Sequence, residues 1–308
     1  MKILYGTFAF VLLAQVLSGG FTSGPTPLRA AWLDAQPTYD GEVPTGTWQL
    51  EFADGKRKSL SVARVKTSPW DSAPVAISGD GLHLAYVRAS DLRVVVASFA
   101  GGKDFVGPSG EHVRAMWLSE DGKRLLIDHY DERLGDGRRA KDAPDLLVEV
   151  GSGRTVSLPV GGELAGFSED GDEALSRRLL RDNTIQVSAH RPDGTAASWI
   201  PPQDVVLADL ALSADGTTLV TLDQGRVRLF DLNTGRWPAG GASLDSSAYG
   251  LAWRAGVLTV KTGALDAKNR WNVKVMAIDP ATGATRKLDG YRLPGRTDDG
   301  SLFMAVER

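Results

Sequence analysis

The sequence predicts an all-β fold, a six-bladed β-propeller of four-stranded blades. Three observations carry that reading: a turn repeated at near-constant spacing, a second ladder of turns interlocked with it, and chain ends that complete one another.

The repeated turn occurs at Ile77-Ser-Gly-Asp-Gly81, Leu118-Ser-Glu-Asp-Gly122, Phe167-Ser-Glu-Asp-Gly171 and Leu212-Ser-Ala-Asp-Gly216. Degenerate copies follow at Trp253-Arg-Ala-Gly256 and Arg296-Thr-Asp-Asp-Gly300, and the glycines lie 41, 49, 45, 40 and 44 residues apart. Each full copy stands between a short apolar run and a β-type run such as Leu84-Ala-Tyr-Val87. An Asp-Gly step in that setting is a hairpin turn, because glycine accepts positive φ without a Cβ clash.

The second ladder runs through Gly55, Gly102, Gly153, Gly194, Gly235 and Gly283, each after a strand-like run such as Val94-Val-Val-Ala97 or Val227-Arg-Leu-Phe230. One period therefore holds two hairpins, which is the unit of a propeller blade. No period-3.6 apolar pattern of helical length follows the first twenty residues. At the ends, the hairpin at 47–63 lacks an inner pair and the segment 291–307 lacks an outer one. Pairing of these N- and C-terminal hairpins completes the sixth blade and removes exposed sheet edges.

The pattern resembles the TolB-like six-bladed propellers, whose repeats carry an aromatic-Ser-Pro-Asp-Gly turn before an apolar strand. The resemblance covers about residues 46–308 and implies the fold. This chain departs from it at the position before Asp, which is Gly79, Glu120, Glu169 or Ala214, and it shows no repeated Trp-Asp signature of the WD-repeat type.

Ahead of the ring, Lys2 precedes an apolar stretch from Ile3 to Leu17 and then Ser18, Gly19 and Gly20. Residues 1–21 thus read as a hydrophobic leader helix, either a signal peptide or a retained membrane anchor. Gly20 stands where a lipidated cysteine would be required, which excludes a lipoprotein anchor. Residues 22–45, with Pro25, Pro27, Pro37 and Pro44, read as a linker, and 46–308 as the propeller. The ring is therefore expected outside the cytoplasm, secreted or anchored.

Composition excludes several chemistries. The 35 Lys and Arg against 38 Asp and Glu give a net charge of −3, unlike the basic excess of a nucleic-acid binder. With no cysteine, there is no thiol nucleophile, disulfide or Cys-ligated metal. His83, His112, His129 and His190 show no paired metal-ligand spacing. Neither Gly-x-Ser-x-Gly nor Ser-x-x-Lys occurs. The fingerprint-like Gly135-Asp-Gly-Arg-Arg-Ala140 lacks the strand before it and the helix after it that phosphate binding needs.

If both turn ladders lie on one face of the disc, the links between hairpins emerge on the other. Two links stand out: His129 to Asp145 in blade two, and Gly263 to Asn272 in blade five, opposite it. Tyr130, Arg133, Trp271, Arg270 and Trp70 are the candidate contact residues, since aromatics and Arg give large interface energies when desolvated. The resulting expectation is an exported, non-catalytic scaffold that binds a protein or cell-envelope ligand through this face. No nucleic acid or cofactor is expected, and the membrane is touched only through the N-terminal segment. The rival reading is a calcium-dependent hydrolase of a lactone, phosphate ester or sugar at the central channel. Asp128, Asp131 and Glu132 would then supply oxygen ligands.

Overall fold

The computed structural model describes residues 24–38, 41–63, 74–129, 144–159, 162–202, 209–238, 240–245, 247–254, 256–267, 270–293 and 304–307, with the side chains of 34–46 and 304–307 left aside. The leader lies outside the described residues. The chain is an all-β six-bladed propeller with four strands in every blade.

It opens with β1 (Leu28–Thr38), β2 (Gly41–Phe52) and β3 (Arg57–Leu60). Blade one holds β4 (Val75–Ile77), β5 (His83–Val87), β6 (Arg93–Ser98) and β7 (Phe105–Ser109). Blade two holds β8 (Val113–Leu118), β9 (Arg124–His129), β10 (Leu146–Glu149) and β11 (Thr155–Ser157). Blade three holds β12 (Glu163–Phe167), β13 (Ala174–Leu179), β14 (Ile185–His190) and β15 (Ala196–Trp199). Blade four holds β16 (Asp209–Leu212), β17 (Thr218–Asp223), β18 (Arg226–Asp231) and β19 (Ala242–Ser243). Blade five holds β20 (Ala248–Arg254), β21 (Val257–Leu265), β22 (Trp271–Ile278) and β23 (Thr285–Leu293), and the chain ends in β24 (Met304–Glu307). Every strand pairing within a blade is antiparallel, so both turn ladders fall on one face and the remaining links on the other, here called the turn face and the link face.

The repeat's residues explain its turn. In blade one, Asp80 Oδ1 accepts the Leu82 N–H (2.8 Å) and Ser78 Oγ accepts the His83 N–H (3.0 Å). The same two bonds recur from Asp121 and Ser119, Asp170 and Ser168, and Asp215 and Ser213. The glycine that follows sits at φ +72°, +68°, +72° and +68° in the four copies, a region costly for any residue with a Cβ. The conserved look of Ser and Asp within this chain is thus turn chemistry, not a site.

The closing blade differs from the expected pairing of two terminal hairpins. Its order is β24-β1-β2-β3, one strand from the C-terminus and three from the N-terminus. The stretch 22–45 is therefore not a linker, since β1 begins at Leu28 and runs through it. Leu28, Ala30, Ala31, Trp32 and Leu33 are all buried, and this burial outweighs the prolines. Pro25 and Pro27 precede the strand, while Pro37 and Pro44 pair near the β1–β2 hairpin end.

Apolar clusters fill all six blade interfaces. Leu28, Trp48 and Phe52 meet Leu84, Tyr86 and Val95 between blades six and one. Ala30 and Trp32 meet Val273, Tyr291 and Leu293 between blades five and six. The other four interfaces carry equivalent clusters, so burial is continuous around the ring.

Blade five also corrects the expected loop geometry. β21 and β22 run nine and eight residues and leave a link of only 266–270, the same length as 88–92 in blade one and 180–184 in blade three. Blade five is distinguished by long strands rather than a long loop.

Candidate functional site

The sequence-derived candidates divide into three groups. Tyr130, Arg133, Trp70, Asp131 and Glu132 lie outside the described residues. Arg270 closes its own link: its backbone N–H reaches Asp266 Oδ1 (3.0 Å), and its Nε and Nη2 reach Oδ2 (2.9 and 2.7 Å). Trp271 opens β22 and lies against Gly263, where a Cβ would come within 2.2 Å of Cζ2. Its Nε1 donates to the Tyr249 hydroxyl (3.3 Å), and its ring joins the blade five–six cluster. The structure thus gives both residues internal partners.

Asp128, the third described candidate, ends on β9 at 1% exposure. Arg114 of β8 donates Nε and Nη2 to its Oδ2 at 2.9 and 2.5 Å. Beside it, the base of the long blade-two link is clamped. The His129 N–H donates to Asp145 Oδ1 (3.2 Å), and its Nδ1 lies 2.9 Å from the Pro144 carbonyl, which fixes the tautomer protonated at Nδ1. Among the described residues, no group of three or more His, Cys, Asp or Glu is placed to hold a metal ion.

A feature absent from the sequence reading is the apolar rim. Val62, Leu179, Ile200 and Leu265 are 50%, 63%, 58% and 49% exposed, and all four stand at link-face ends of strands or just beyond them. Leu179 ends β13 next to exposed Arg178 and close to exposed Arg181, and Ile200 follows β15 of the same blade. The other large exposed apolar residues among those described, Val106 and Leu288, lie on outer strands β7 and β23.

The inner strands enclose a channel of about 790 Å³. Trp117, Phe167 and Trp253 line it together with small residues such as Ala115, Ala165 and Ala252. Arg114, Glu163, Arg177, Asp209 and Lys261 line its link-face end. Arg177 pairs with Glu163 (2.8 Å), Arg114 with the buried Asp128, and Asp209 Oδ2 accepts the Gly250 N–H (3.0 Å). At the turn-face end, Arg254 of blade five donates across to the Gly79 carbonyl of blade one (3.0 Å). The Glu120 carboxylate rests on Gly79, in space a Cβ would fill. Glu169 Oε2 accepts the Ala214 N–H (3.1 Å). The variable position of the repeat is thus small where a neighbouring blade's side chain must pass and acidic where it reaches across.

Two buried histidines set a pH response. Burial pushes the His129 imidazole below its ordinary pKa, against the opposing Pro144 hydrogen bond, and burial alone does the same to His190. His190 Nε2 meets Ser176 Oγ at 2.8 Å, and both residues are buried within blade three. A histidine whose folded pKa is lowered contributes stability that is complete above its unfolded value, about 6.5, and lost as pH falls below it. The melting temperature at pH 5 is accordingly expected below that at pH 7.5. His190→Gln should flatten the dependence in a series of thermal melts; an unchanged slope in that variant would remove His190 from the account.

No protein-family model and no curated protein matches this chain. Solved structures match its shape. Uncomplexed acylaminoacyl peptidase from Pyrococcus horikoshii is 15% identical with a TM-score of 0.50, over 87% of this chain and 46% of that one. A structure described as TolB from Agrobacterium tumefaciens is 15% identical with a TM-score of 0.47, over 91% and 99%. A chain of the nidogen/laminin complex is 15% identical with a TM-score of 0.46, over 85% and 93%. The class, a six-bladed β-propeller, is given by the sheet order of this chain itself. At such identities the likeness concerns the fold alone.

Proposed function

We propose that the protein is an exported, non-catalytic propeller scaffold whose link face docks on a protein partner or cell-envelope ligand. One observation carries this reading: Leu179 and Ile200 of blade three are both more than half exposed at its link-face end, with Val62 and Leu265 exposed at the same face on other blades. Exposed apolar groups on one side of a rigid ring support an interaction surface, and Arg178 and Arg181 beside Leu179 add groups that bind strongly when desolvated. The rigid blades serve as the mount, and the hydrogen bond from the His129 N–H to Asp145 holds the strand ends of blade two together on the same face. Export rests on the composition of the leader, and mass spectrometry of the mature N-terminus tests it.

The docking reading is tested with Leu179→Asp combined with Ile200→Asp. Both side chains are exposed, so stability should change by no more than about 0.5 kcal/mol each. Recovery of partners with the tagged protein from its own host should fall at least tenfold, a loss of about 1.4 kcal/mol. Equal recovery by the variant and the parent would dismiss the rim as the docking surface.

A further inference from the structure

Beyond the rim, the channel is a second site of different chemistry, and we propose that it takes the end of a neutral sugar chain, entering from the link face. Its volume of about 790 Å³ falls within the range of small-molecule sites, roughly 300–1,000 Å³. The lining narrows the ligand class by what each alternative would need.

An anion such as a phosphate ester would need a basic excess. Here the cations Arg114, Arg177, Arg254 and Lys261 are matched in number by Glu163, Asp209, Glu120 and the Asp128 that pairs with Arg114, so no basic excess exists. A purely apolar ligand would strip water from these ion pairs and return nothing to them. A neutral polyol answers both constraints. Its hydroxyls donate to carboxylates and accept from guanidinium and ammonium groups without disturbing their charge balance. Its C–H faces pack on aromatic rings, which Trp117, Phe167 and Trp253 supply between small alanines. Polar groups stand at both ends and aromatic groups between them, an order that suits a short chain of pyranose units.

The direction of entry follows from the turn face, where Arg254 spans to Gly79 and the Glu120 carboxylate sits on the same glycine.

The experiment uses the full chain with maltotriose, cellotriose and triacetylchitotriose as neutral probes. Trigalacturonate and inorganic phosphate serve as charged comparators, and binding is read by calorimetry and tryptophan fluorescence. At least one neutral trisaccharide is expected to bind saturably at millimolar concentration or below, and more tightly than either comparator. Ala115→Phe, which fills the channel without altering the rim, should abolish that binding, and Asp209→Asn should weaken it at least fivefold. Leu179→Asp with Ile200→Asp should leave it unchanged, which separates this site from the docking surface. The proposal is overturned if no neutral probe binds, if a charged comparator binds more tightly, or if Ala115→Phe binds as the parent does. Loss of binding in the rim variant would likewise overturn it, by assigning the sugar to the outer face.

Discussion

Removal of residues 304–308 is expected to abolish the cooperative thermal transition of the ring. These residues contain β24, which contributes the inner strand of the closing blade through the pairs Ala30↔Glu307, Ala31↔Val306, Trp32↔Ala305 and Leu33↔Met304. Without it, β1 becomes an open edge on the channel and the closing blade loses the strand that joins the two ends of the chain. The blade's core residues Leu28, Trp32 and Leu33 are at most 3% exposed only in the closed ring. The net stability of a typical domain is about 5–15 kcal/mol, so loss of closure is expected to be decisive. Calorimetry checks this: the truncated chain should show no sharp endotherm, whereas a sharp transition within a few degrees of the parent would contradict closure by β24. Because the chain has no cysteine, Ala31→Cys with Val306→Cys offers a clean second reading, a disulfide joining the two ends.

Arg114→Ala is the point substitution expected to destabilise most. Asp128 is 1% exposed, and Arg114 holds its Oδ2 with two donors. Removing one partner of a buried pair costs about 3–5 kcal/mol, since the remaining charge keeps its desolvation penalty. The partial exposure of Arg114 places the expected loss near the lower limit, about 3 kcal/mol. Adding Asp128→Asn should restore most of it, because the neutral amide no longer needs the guanidinium. Denaturant melts of the two single variants and the double variant give the coupling, and additive losses would show that the pair does not act as a unit.

The sequence made the ring legible because its turn chemistry is local. Ser78, Asp80 and Gly81 satisfy one another within six residues, and the three later copies do the same, so spacing alone counts the blades. The closing blade was harder to read because its evidence is distant: β1 is recognised as a strand only when β24 arrives from the far end of the chain. Prolines 37 and 44 argued for a linker, yet both fall near the end of the β1–β2 hairpin. Gly263 read as the start of a loop, but it is a strand residue that leaves room for the Trp271 indole.

The candidate site was less legible for the same reason. Arg270 and Trp271 are of residue types that bind partners, but Asp266 four residues away and Tyr249 on the neighbouring strand already engage them. The exposure of Leu179 and Ile200 is a property of the assembled ring, which periodicity along one strand does not contain. Gly79 and Glu120 occupy the variable position of the repeat, and only the closed ring shows that one leaves space for the other.

The most direct measurement of the docking surface is site-specific photo-crosslinking in the native host. A photoreactive residue is placed in turn at Leu179, Ile200 and Leu265 on the link face, and at Thr195 and Ala281 in turns on the opposite face. Adducts to one common partner from the first three positions and none from the last two are the predicted result. Adducts from Thr195 or Ala281 alone, or from no position, would contradict the assignment of the link face as the binding surface.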